Sequence, residues 1–414
     1  MSVSEWREVR IDEVISFNPS ESLKKGEIAK KIAMEQLEPF TRKIANYELS
    51  KFTGGSKFRN GDTLFARITP CLENGKTAYV NILDDNEVAF GSTEFIVMRK
   101  KEKITDDMFV YYLAISPDFR NKAIQSMTGT SGRQRVQQDV LQSHKIMLPP
   151  LHEQKAIAAT LSALDDMIEL NNLINKTLEE MAQAIFKSWF VDFEPFKDGE
   201  SEESEIGLIP KGWKIVELEE ICSIQNGFAF KSSDYQDTGC RLIRTTNITS
   251  NGYVNNNDIK FLPQSFYESE KYKNYRFECF DTVLVMVGAS IGKIGLITEY
   301  NLPSLQNQNM WRFRANNREI SSVYIHYVVR RVNEFVSNWA TGSARDFYRK
   351  ESFQRAKCVL PPKNVMKEFR LLTDSLFIQI SSNIMENALL LEIRDILLPK
   401  LMSGEIRVPV EEVV

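Results

Sequence analysis

The apolar positions of the chain form two kinds of pattern. In one, short runs of branched and aromatic residues alternate with Gly, Asn and Pro turn signals, which predicts β-strands. Between these runs, "DDMFVYYLAIS" and "SSVYIHYVVRRVNEFV" have helical spacing. The pattern therefore predicts compact α+β domains. The strand-like runs are "TLFARI" from Thr63, "EVAFGSTEFIVM" from Glu87, "TVLVMV" from Thr282 and "MWRFRA" from Met310.

The second kind of pattern follows two proline pairs, at residues 149–150 and 361–362. From His152 to about Phe190, and from Asn364 to about Leu398, a helical pattern continues without an internal Gly or Pro. Proline suits the first turn of a helix, where its missing N–H costs nothing. A helix of roughly 38 residues is about 57 Å long, which exceeds what a small domain can cover. The pattern predicts two long helices.

The apolar residues of both helices follow the alternating spacing of three and four that is typical of a coiled-coil seam. The middle of each seam is polar, with Asn171 and Asn175 in the first helix and Asn383 and Asn387 in the second. If the helices pack antiparallel, these asparagines meet near the midpoint and fix the register. In the alternative, they face solvent on two independent amphipathic helices. The seam residues are Ile157, Leu161, Leu164, Ile168, Leu178 and Ile185, then Phe369, Leu372, Leu376 and Ile380.

Further apolar residues widen the hydrophobic face of the first helix. They are Leu170, Ile174 and Met181, which lie beside the seam. One partner helix does not cover so wide a face. We therefore expect a third surface there, such as the helices of another protein.

The chain contains an internal repeat. With an offset of 212, residues 145–186 align with residues 357–398 without a gap, and 11 of the 42 positions are identical. "WREVRIDEVIS" from Trp6 matches "WKIVELEEICS" from Trp213, and "TGTS" from Thr128 matches "TGSA" from Thr341. A weaker match links "GDTLFARITPCLENGK" from Gly61 with "FDTVLVMVGASIGK" from Phe280, and most of the remaining interior cannot be aligned by eye. The sequence thus predicts two copies of a unit of about two hundred residues, with a shared frame and different interiors.

Composition is that of a soluble globular protein, with 43% hydrophobic and 26% charged residues among 414. The five cysteines form no CxxC pair and there are only three histidines, so we expect neither a zinc site nor a disulfide framework. The first residues, "MSVSEWREVR", do not resemble a signal peptide. These features favour a cytoplasmic protein.

Charge is unevenly distributed along the chain. The net charge is −4, but residues 268–357 contain 14 Lys and Arg against 9 Asp and Glu, whereas residues 187–205 contain 2 against 7. A basic segment inside an acidic chain can still face phosphate, because a polyanion responds to the local field. A solvated surface of mixed charge is the alternative.

Motifs for catalysis are missing from the sequence. It has no phosphate-binding loop, nucleophile elbow, HExxH or Gly-rich dinucleotide fingerprint. The acidic pairs at 84–85, 106–107 and 165–166 are better explained as turn and helix-surface residues than as acid and base partners. We therefore expect no catalytic residue and no metal site in this chain.

Polar loops before each proline pair are candidates for contact with DNA. Arg suits guanine or phosphate, Gln suits adenine, and Ser and Thr suit phosphate oxygens. An ordinary polar surface loop is the alternative, but the loop recurs at the same place in both copies. The paired "NGK" and "IGK" turns add two lysines that are expected to contact phosphate. The candidate residues are Thr128, Ser131, Arg133, Gln134, Arg135 and Lys76 in the first copy, and Thr341, Ser343, Arg345, Tyr348, Arg349 and Lys293 in the second.

Several segments together resemble the specificity subunits of type I restriction-modification systems, and the resemblance covers essentially the whole chain. They are "GDTLFARITPCLENGK", "GSTEFIVM", "IMLPPLHEQKAIAATLSALDDMIELNN", "FKSWFVDFEPF", "LIPKGW", "VLPP" and "LLPKLMSGEIRV". The second copy departs from the pattern with "PPKNVMKEF" where the first has "PPLHEQKAI".

The resemblance implies an α+β protein with two pseudo-symmetric α/β target recognition domains, separated by two long antiparallel coiled-coil helices. The domains correspond to residues 1–150 and 213–362 and the helices to 151–192 and 363–402, with an acidic linker at 193–212 and a C-terminal tail at 403–414. Each domain is expected to recognise one half of an asymmetric bipartite site in double-stranded DNA, with the helices setting the spacer.

The resemblance also implies partner subunits. The helices are expected to dock two modification subunits, which carry S-adenosylmethionine and methylate adenine. Restriction subunits that use ATP and Mg and cut DNA are expected to join them, while this chain carries no cofactor. Two alternatives remain: a scaffold that grips proteins at two globular ends, and a diverged methyltransferase, which the missing cofactor motif disfavours.

Overall fold

A computed structural model of the chain describes residues 6–130, 132–340 and 348–409. The chain divides into two compact units. Unit 1 comprises the residues up to Glu169 and those from Ala388 onward, and unit 2 comprises Leu170–Asn387. Both boundaries lie inside the long helical segments, so each unit contains part of both long helices.

Short strands form the sheets of unit 1. One sheet has the order β4-β3-β8-β5, the second has the order β2-β9-β6-β7, and β1 pairs with β10. Among the described strands of unit 1, β3 and β8 run parallel and the other pairs are antiparallel. In the described part of unit 1, the strands are β1 (Arg7–Arg10), β2 (Ile15–Phe17), β3 (Ile28–Ile32), β4 (Glu48–Lys51), β5 (Ser56–Phe58), β6 (Thr63–Ala66), β7 (Thr77–Tyr79), β8 (Ala89–Gly91), β9 (Phe95–Lys100) and β10 (Lys145–Leu148).

Several helices belong to unit 1, and one of them packs on the second sheet. They are α1 (Ile11–Val14), α2 (Asp107–Ile115), α3 (Pro117–Gln125), α4 (Gln138–Gln142) and the start of α5 (Leu151–Phe190). The carboxylate of Asp106 accepts the N–H of Phe109 at 3.0 Å and so caps α2. The apolar side of α2 packs on β6, β7 and β9 and buries Phe109, Val110 and Tyr112. The helix predicted from "DDMFVYYLAIS" is confirmed.

Unit 2 has a comparable set of strands. Its sheets have the orders β14-β20-β17-β18 and β16-β15-β19, while β13 pairs with β21 and β11 pairs with β12. The strands are β11 (Ser201–Ser204), β12 (Gly207–Pro210), β13 (Lys214–Glu217), β14 (Cys222–Asn226), β15 (Cys240–Ile243), β16 (Lys260–Leu262), β17 (Thr282–Val285), β18 (Ile294–Leu296), β19 (Ser304–Gln306), β20 (Met310–Ala315) and β21 (Lys357–Leu360). Its helices are α6 (Leu218–Ile221), α7 (Gln264–Glu268), α8 (Ser322–Ala340), α9 (Lys350–Gln354) and α10 (Lys363–Ser403), with the end of α5.

The two units repeat one strand arrangement. The order β2-β9-β6-β7 corresponds to β14-β20-β17-β18, and β4-β3-β8 corresponds to β16-β15-β19, including one parallel pair at the same place. The expectation of different interiors therefore holds for the loops and not for the sheets. Unit 1 adds β5, and the acidic segment 193–212 of unit 2 contains the β11-β12 hairpin. Buried apolar positions keep a strand in place even when the residue types change.

The long helices are where the proline pairs predict them. α5 begins at Leu151, and α10 begins at Lys363 and continues to Ser403, beyond the predicted end. Pro399 lies inside α10, and the helix ends before Gly404, whose φ of +76° suits a residue without a Cβ.

One seam residue is predicted wrongly. Leu372 is exposed, and Thr373 and Phe377 are buried in its place between Phe369 and Ile380. From Phe369 to Ile380 the buried positions are separated by four, four and three residues. Their mean spacing is close to the 3.6 residues per turn of a straight α-helix, so the contact does not follow a strict heptad.

None of the described helices has an apolar stretch long enough to cross a bilayer.

A buried histidine in unit 2 gives a pH prediction. Burial lowers the pKa of the His326 imidazole to about 3, and its Nδ1 lies 3.1 Å from the hydroxyl of Thr282. In the unfolded chain the ring has its ordinary pKa of about 6.5, so below that pH the unfolded state binds a proton that the folded state does not. We expect stability to fall as the pH drops from 6.5, by up to about 1.4 kcal/mol per pH unit.

Urea denaturation between pH 7 and 5 tests this expectation. His326→Gln should remove that part of the pH dependence, because glutamine does not titrate in this range. Equal pH dependence in wild type and His326→Gln would contradict it.

Candidate nucleic-acid interface

Three segments of unit 1 meet beside the second sheet: residues 67–70 after β6, residues 92–94 before β9, and the described residues of the stretch from 126 to 137, which are 126–130 and 132–137. The N–H of Arg67 donates to the carbonyl of Glu94 at 2.9 Å, and the N–H of Val136 donates to the carbonyl of Arg67 at 2.9 Å. The N–H of Thr69 donates to the carbonyl of Gln134 at 3.0 Å. We call these segments loop cluster 1.

Unit 2 has the same arrangement. The N–H of Met286, after β17, donates to the carbonyl of Asn309 at 3.2 Å, and the N–H of Tyr348 donates to the carbonyl of Met286 at 2.8 Å. Residues 286–289, 307–309 and the chain from Tyr348 form loop cluster 2. Although the sequences differ, these two backbone contacts correspond to those of Arg67 with Glu94 and of Val136 with Arg67 in loop cluster 1.

The third segment of loop cluster 1 is a narrow hairpin. Thr128 and Arg135 exchange both backbone hydrogen bonds, at 3.0 and 2.9 Å. Gly129 has a φ of +133°, and a Cβ there would come within 2.9 Å of the carbonyl of Arg133. The "TG" step thus requires glycine for its backbone conformation. The amide of Gln137 donates to the hydroxyl of Thr128 at 2.5 Å, which fixes that side chain.

Arg135 forms an ion pair with Glu94 inside loop cluster 1. Its Nε lies 3.0 Å from both carboxylate oxygens, and its Nη2 lies 2.6 Å from Oε1. This guanidinium lowers the pKa of the Glu94 carboxyl, although partial burial opposes the shift. The buried Nε of Arg67 is 3.9 Å from the same carboxylate and has no hydrogen-bond partner among the described residues. Two arginines are therefore close to Glu94.

The remaining candidates of the first copy differ in exposure. Arg133 is exposed, whereas Gln134 is half-buried and contributes its carbonyl to the cluster. The ammonium of Lys76 donates to the carbonyl of Met34 at 2.8 Å and is half-buried, so it supports the fold locally. Ser131 lies outside the described residues.

In the second copy, Lys293 and Arg349 are exposed. Lys293 has the same backbone position in unit 2 as Lys76 has in unit 1. Its carbonyl accepts the N–H of Val285, the last residue of β17, at 2.9 Å. Tyr348 is half-buried against Phe353, and burial raises the pKa of its hydroxyl. Thr341, Ser343 and Arg345 lie outside the described residues.

The sequence did not lead us to expect a DNA contact from the segment before β9 or from its counterpart before β20. It supplies Glu94 in unit 1, and Gln308 and Asn309 in unit 2, to the loop clusters. A signal was present in the sequence: "GSTEF" and "QNQNM" are polar runs directly before a buried strand, at corresponding places in both copies.

The four seam asparagines meet in unit 2. The amide of Asn171 donates to Asn387 at 3.0 Å, and the amide of Asn383 donates to Asn175 at 2.8 Å. All four side chains are buried, so the solvent-facing alternative is excluded. Because residue numbers rise along one helix as they fall along the other, this part of α5 and α10 is antiparallel.

Asp165 was predicted to lie on a helix surface, and this is wrong. In unit 1 it is 4% exposed and accepts hydrogen bonds from Arg394 at 2.9 Å and from the hydroxyl of Tyr112 at 2.7 Å. Sequence spacing cannot reveal such a partner, because Arg394 is 229 residues away.

Large apolar side chains remain exposed along both long helices. In unit 2 they include Leu170, Ile174 and Met181 on α5, as expected for a face that its partner helix does not cover. Contiguous exposed apolar residues on a helix are typical of a protein interface. Others on α10 in unit 2 are Leu371, Leu372, Ile378 and Met385; in unit 1, Met167, Leu389, Ile393 and Ile396 are exposed.

No group of three or more His, Cys, Asp or Glu side chains in the described ranges is arranged to hold a metal ion.

Comparison with known proteins gives one consistent answer. The model of the type I restriction modification DNA specificity domain matches residues 3–180 and 210–369. The HindI specificity subunit of Haemophilus influenzae is 25% identical over 98% of this chain and its own full length. The MjaVIII specificity subunit of Methanocaldococcus jannaschii is 29% identical over 58% of this chain and 55% of that protein.

A solved structure agrees at the level of the fold. The S subunit of a type I restriction-modification system from M. genitalium covers 97% of both chains with a TM-score of 0.58 and 16% identity. The family model alone matches well over half of the residues, in two copies that coincide with the internal repeat. The chain belongs to the family of type I restriction-modification DNA specificity proteins.

Proposed function

We propose that this chain selects the DNA sequence for a type I restriction-modification complex, with each unit recognising one half of an asymmetric bipartite site. One observation carries the proposal: the same loop cluster recurs in both units with different polar side chains. Cluster 1 carries the Arg135–Glu94 pair, while cluster 2 carries Gln308, Asn309 and Arg349. A shared backbone with different hydrogen-bonding groups suits two duplex sequences that differ.

The long helices have a second role in this proposal. The asparagine pairs fix the register of α5 and α10 and so contribute to the spacing between the two half-sites. The exposed apolar residues of both helices dock two modification subunits, which carry S-adenosylmethionine. Restriction subunits with ATP and Mg join this assembly, and the present chain contributes recognition. Support comes from the amount of apolar side chain left exposed on both helices.

DNA binding by the full chain should depend steeply on salt. Each phosphate that an arginine neutralises releases counterions, so the logarithm of the binding constant falls linearly with the logarithm of salt concentration. We expect Arg133→Ala to weaken binding about equally for all sequences and to reduce the magnitude of the slope by about 1. Fluorescence anisotropy with a labelled duplex at several salt concentrations measures this.

The matched control is Lys211→Ala, which removes an exposed cation outside both loop clusters and should leave the slope unchanged. If the chain retained no DNA at low salt and bound protein partners independently of salt, the scaffold alternative would replace the proposal.

A further inference from the structure

The Arg135–Glu94 pair leaves one edge of the guanidinium unused. An arginine side chain has five N–H groups. Glu94 accepts the N–H of Nε and one N–H of Nη2, at 3.0 and 2.6 Å. The second N–H of Nη2 and both of Nη1 have no partner among the described residues. The second N–H of Nη2 and one N–H of Nη1 lie on the end-on edge of the guanidinium and form two parallel donors.

Both residues of the pair are held by backbone hydrogen bonds. Arg135 is paired with Thr128 on one side and forms a bridge to Ile68 on the other. The carbonyl of Glu94 accepts the N–H of Arg67, and the N–H of Glu94 donates to the hydroxyl of Ser92 at 3.1 Å. A side chain whose backbone and counter-ion are both fixed loses little freedom on binding, so the arginine is pre-organised.

The charge of the pair favours a base over a phosphate. Arg135 and Glu94 together are formally neutral, so the pair attracts a phosphate less than an unpaired arginine does, although Arg67 adds one positive charge 3.9 Å from the carboxylate. Guanine offers two neutral acceptors, O6 and N7, in the major groove, which match two parallel N–H donors. The side chain of Arg135 is 44% exposed and that of Glu94 is 23% exposed, so the arginine is the outer member of the pair.

We propose that Glu94 is a positioning residue that directs Arg135 to a guanine in one half-site, and that the pair determines specificity at that base pair. This inference rests on the proposed function. In unit 2, Asn309 has the backbone position of Glu94, since its carbonyl accepts the N–H of Met286 as that of Glu94 accepts Arg67. The second half-site therefore does not depend on such a pair.

The test uses the full-length chain in complex with its modification subunits and a pool of duplexes with randomised bases. Sequencing of the bound duplexes should give two half-sites for the wild type, with guanine required at one position of one half. Glu94→Gln keeps the side-chain shape and removes the charge. We expect it to reduce the preference for guanine at that position by about 10-fold or more, as loss of a bidentate arginine–guanine contact does.

Two further variants make the result specific. Arg135→Ala should relax the same position as Glu94→Gln, and Asn309→Ala should leave that half-site unchanged. Thermal unfolding of each complex shows whether the loop still folds. An unchanged guanine preference in Glu94→Gln overturns the inference and leaves the proposed function standing. A loss of affinity that is equal for all sequences also overturns it, because the pair would then contact phosphate or only support the loop. If the wild type selects no sequence at all, the proposed function itself fails.

Discussion

Replacing Asp165 with asparagine, or Arg394 with methionine, is expected to lower the free energy of unfolding by about 3–5 kcal/mol. Either change leaves one charge buried without its buried counter-charge, since both residues are less than 7% exposed and the remaining partner of Arg394, Asp395, is on the surface. Burial lowers the pKa of the Arg394 guanidinium, but the carboxylates of Asp165 and Asp395 more than offset this and raise it above its ordinary value. Urea denaturation followed by circular dichroism measures the loss.

The internal repeat suggests a double variant in which the charged pair is replaced by the residues at the corresponding positions of the second copy. At an offset of 212 residues, Asp165 corresponds to Phe377 and Arg394 to Ala182, and both are buried in the apolar core of unit 2. The double variant Asp165→Phe with Arg394→Ala introduces the residue types found at these positions of unit 2. It should lower the free energy of unfolding by less than either single change, because no charge remains buried and the summed side-chain volume is similar. A loss larger than that of either single change would show that the buried charges do not account for the effect.

Asp395 provides a control that distinguishes the effect of burying a charge from the effect of charge pairing at the surface. Asp395 contacts the same guanidinium at 2.8 Å, but its side chain is 65% exposed. Because solvent screens an exposed pair, Asp395→Asn should cost less than about 1 kcal/mol. A cost as large as that of Asp165→Asn would contradict this explanation.

Truncating Phe369 to alanine is expected to destabilise the protein by about 3–5 kcal/mol. This side chain of α10 is fully buried in unit 2, where its ring centroid lies 4.9 Å from Phe190, 6.2 Å from Trp189 and 6.4 Å from Tyr324. Its removal leaves a cavity between rings of α5 and α8 that rigid aromatic neighbours fill poorly. Chemical denaturation measures the loss.

The exposed neighbour Leu371 serves as a control and as a second test. It lies two residues further along α10 and is 70% exposed, so Leu371→Ala should change stability by no more than about 0.5 kcal/mol. Under the proposed function the same change weakens assembly with modification subunits, which gel filtration of the mixture measures. A large loss of stability in Leu371→Ala would mean that this face is not free in the folded chain.

The loop clusters mark the limit of prediction from the sequence. "TGTS" and its counterpart drew attention to one segment of each cluster, and Arg133 is as exposed as expected. Arg135 is instead bound to Glu94, 41 residues away, and Lys76 donates to a backbone carbonyl in another loop. Residue type identifies a possible donor, but only its surroundings decide whether the donor is free.

The sequence by itself determined the duplication, the strand-rich domains, the two long helices and the polar middle of their seam. These features follow from local periodicity and from comparison of the chain with itself. Tertiary structure decided which polar residues are partners: Asn171 meets Asn387, Asp165 meets Arg394, and Glu94 holds Arg135. It also showed that dissimilar interiors share one strand order. The physical reason is that burial and pairing depend on distances between residues far apart in the chain, whereas periodicity depends only on near neighbours.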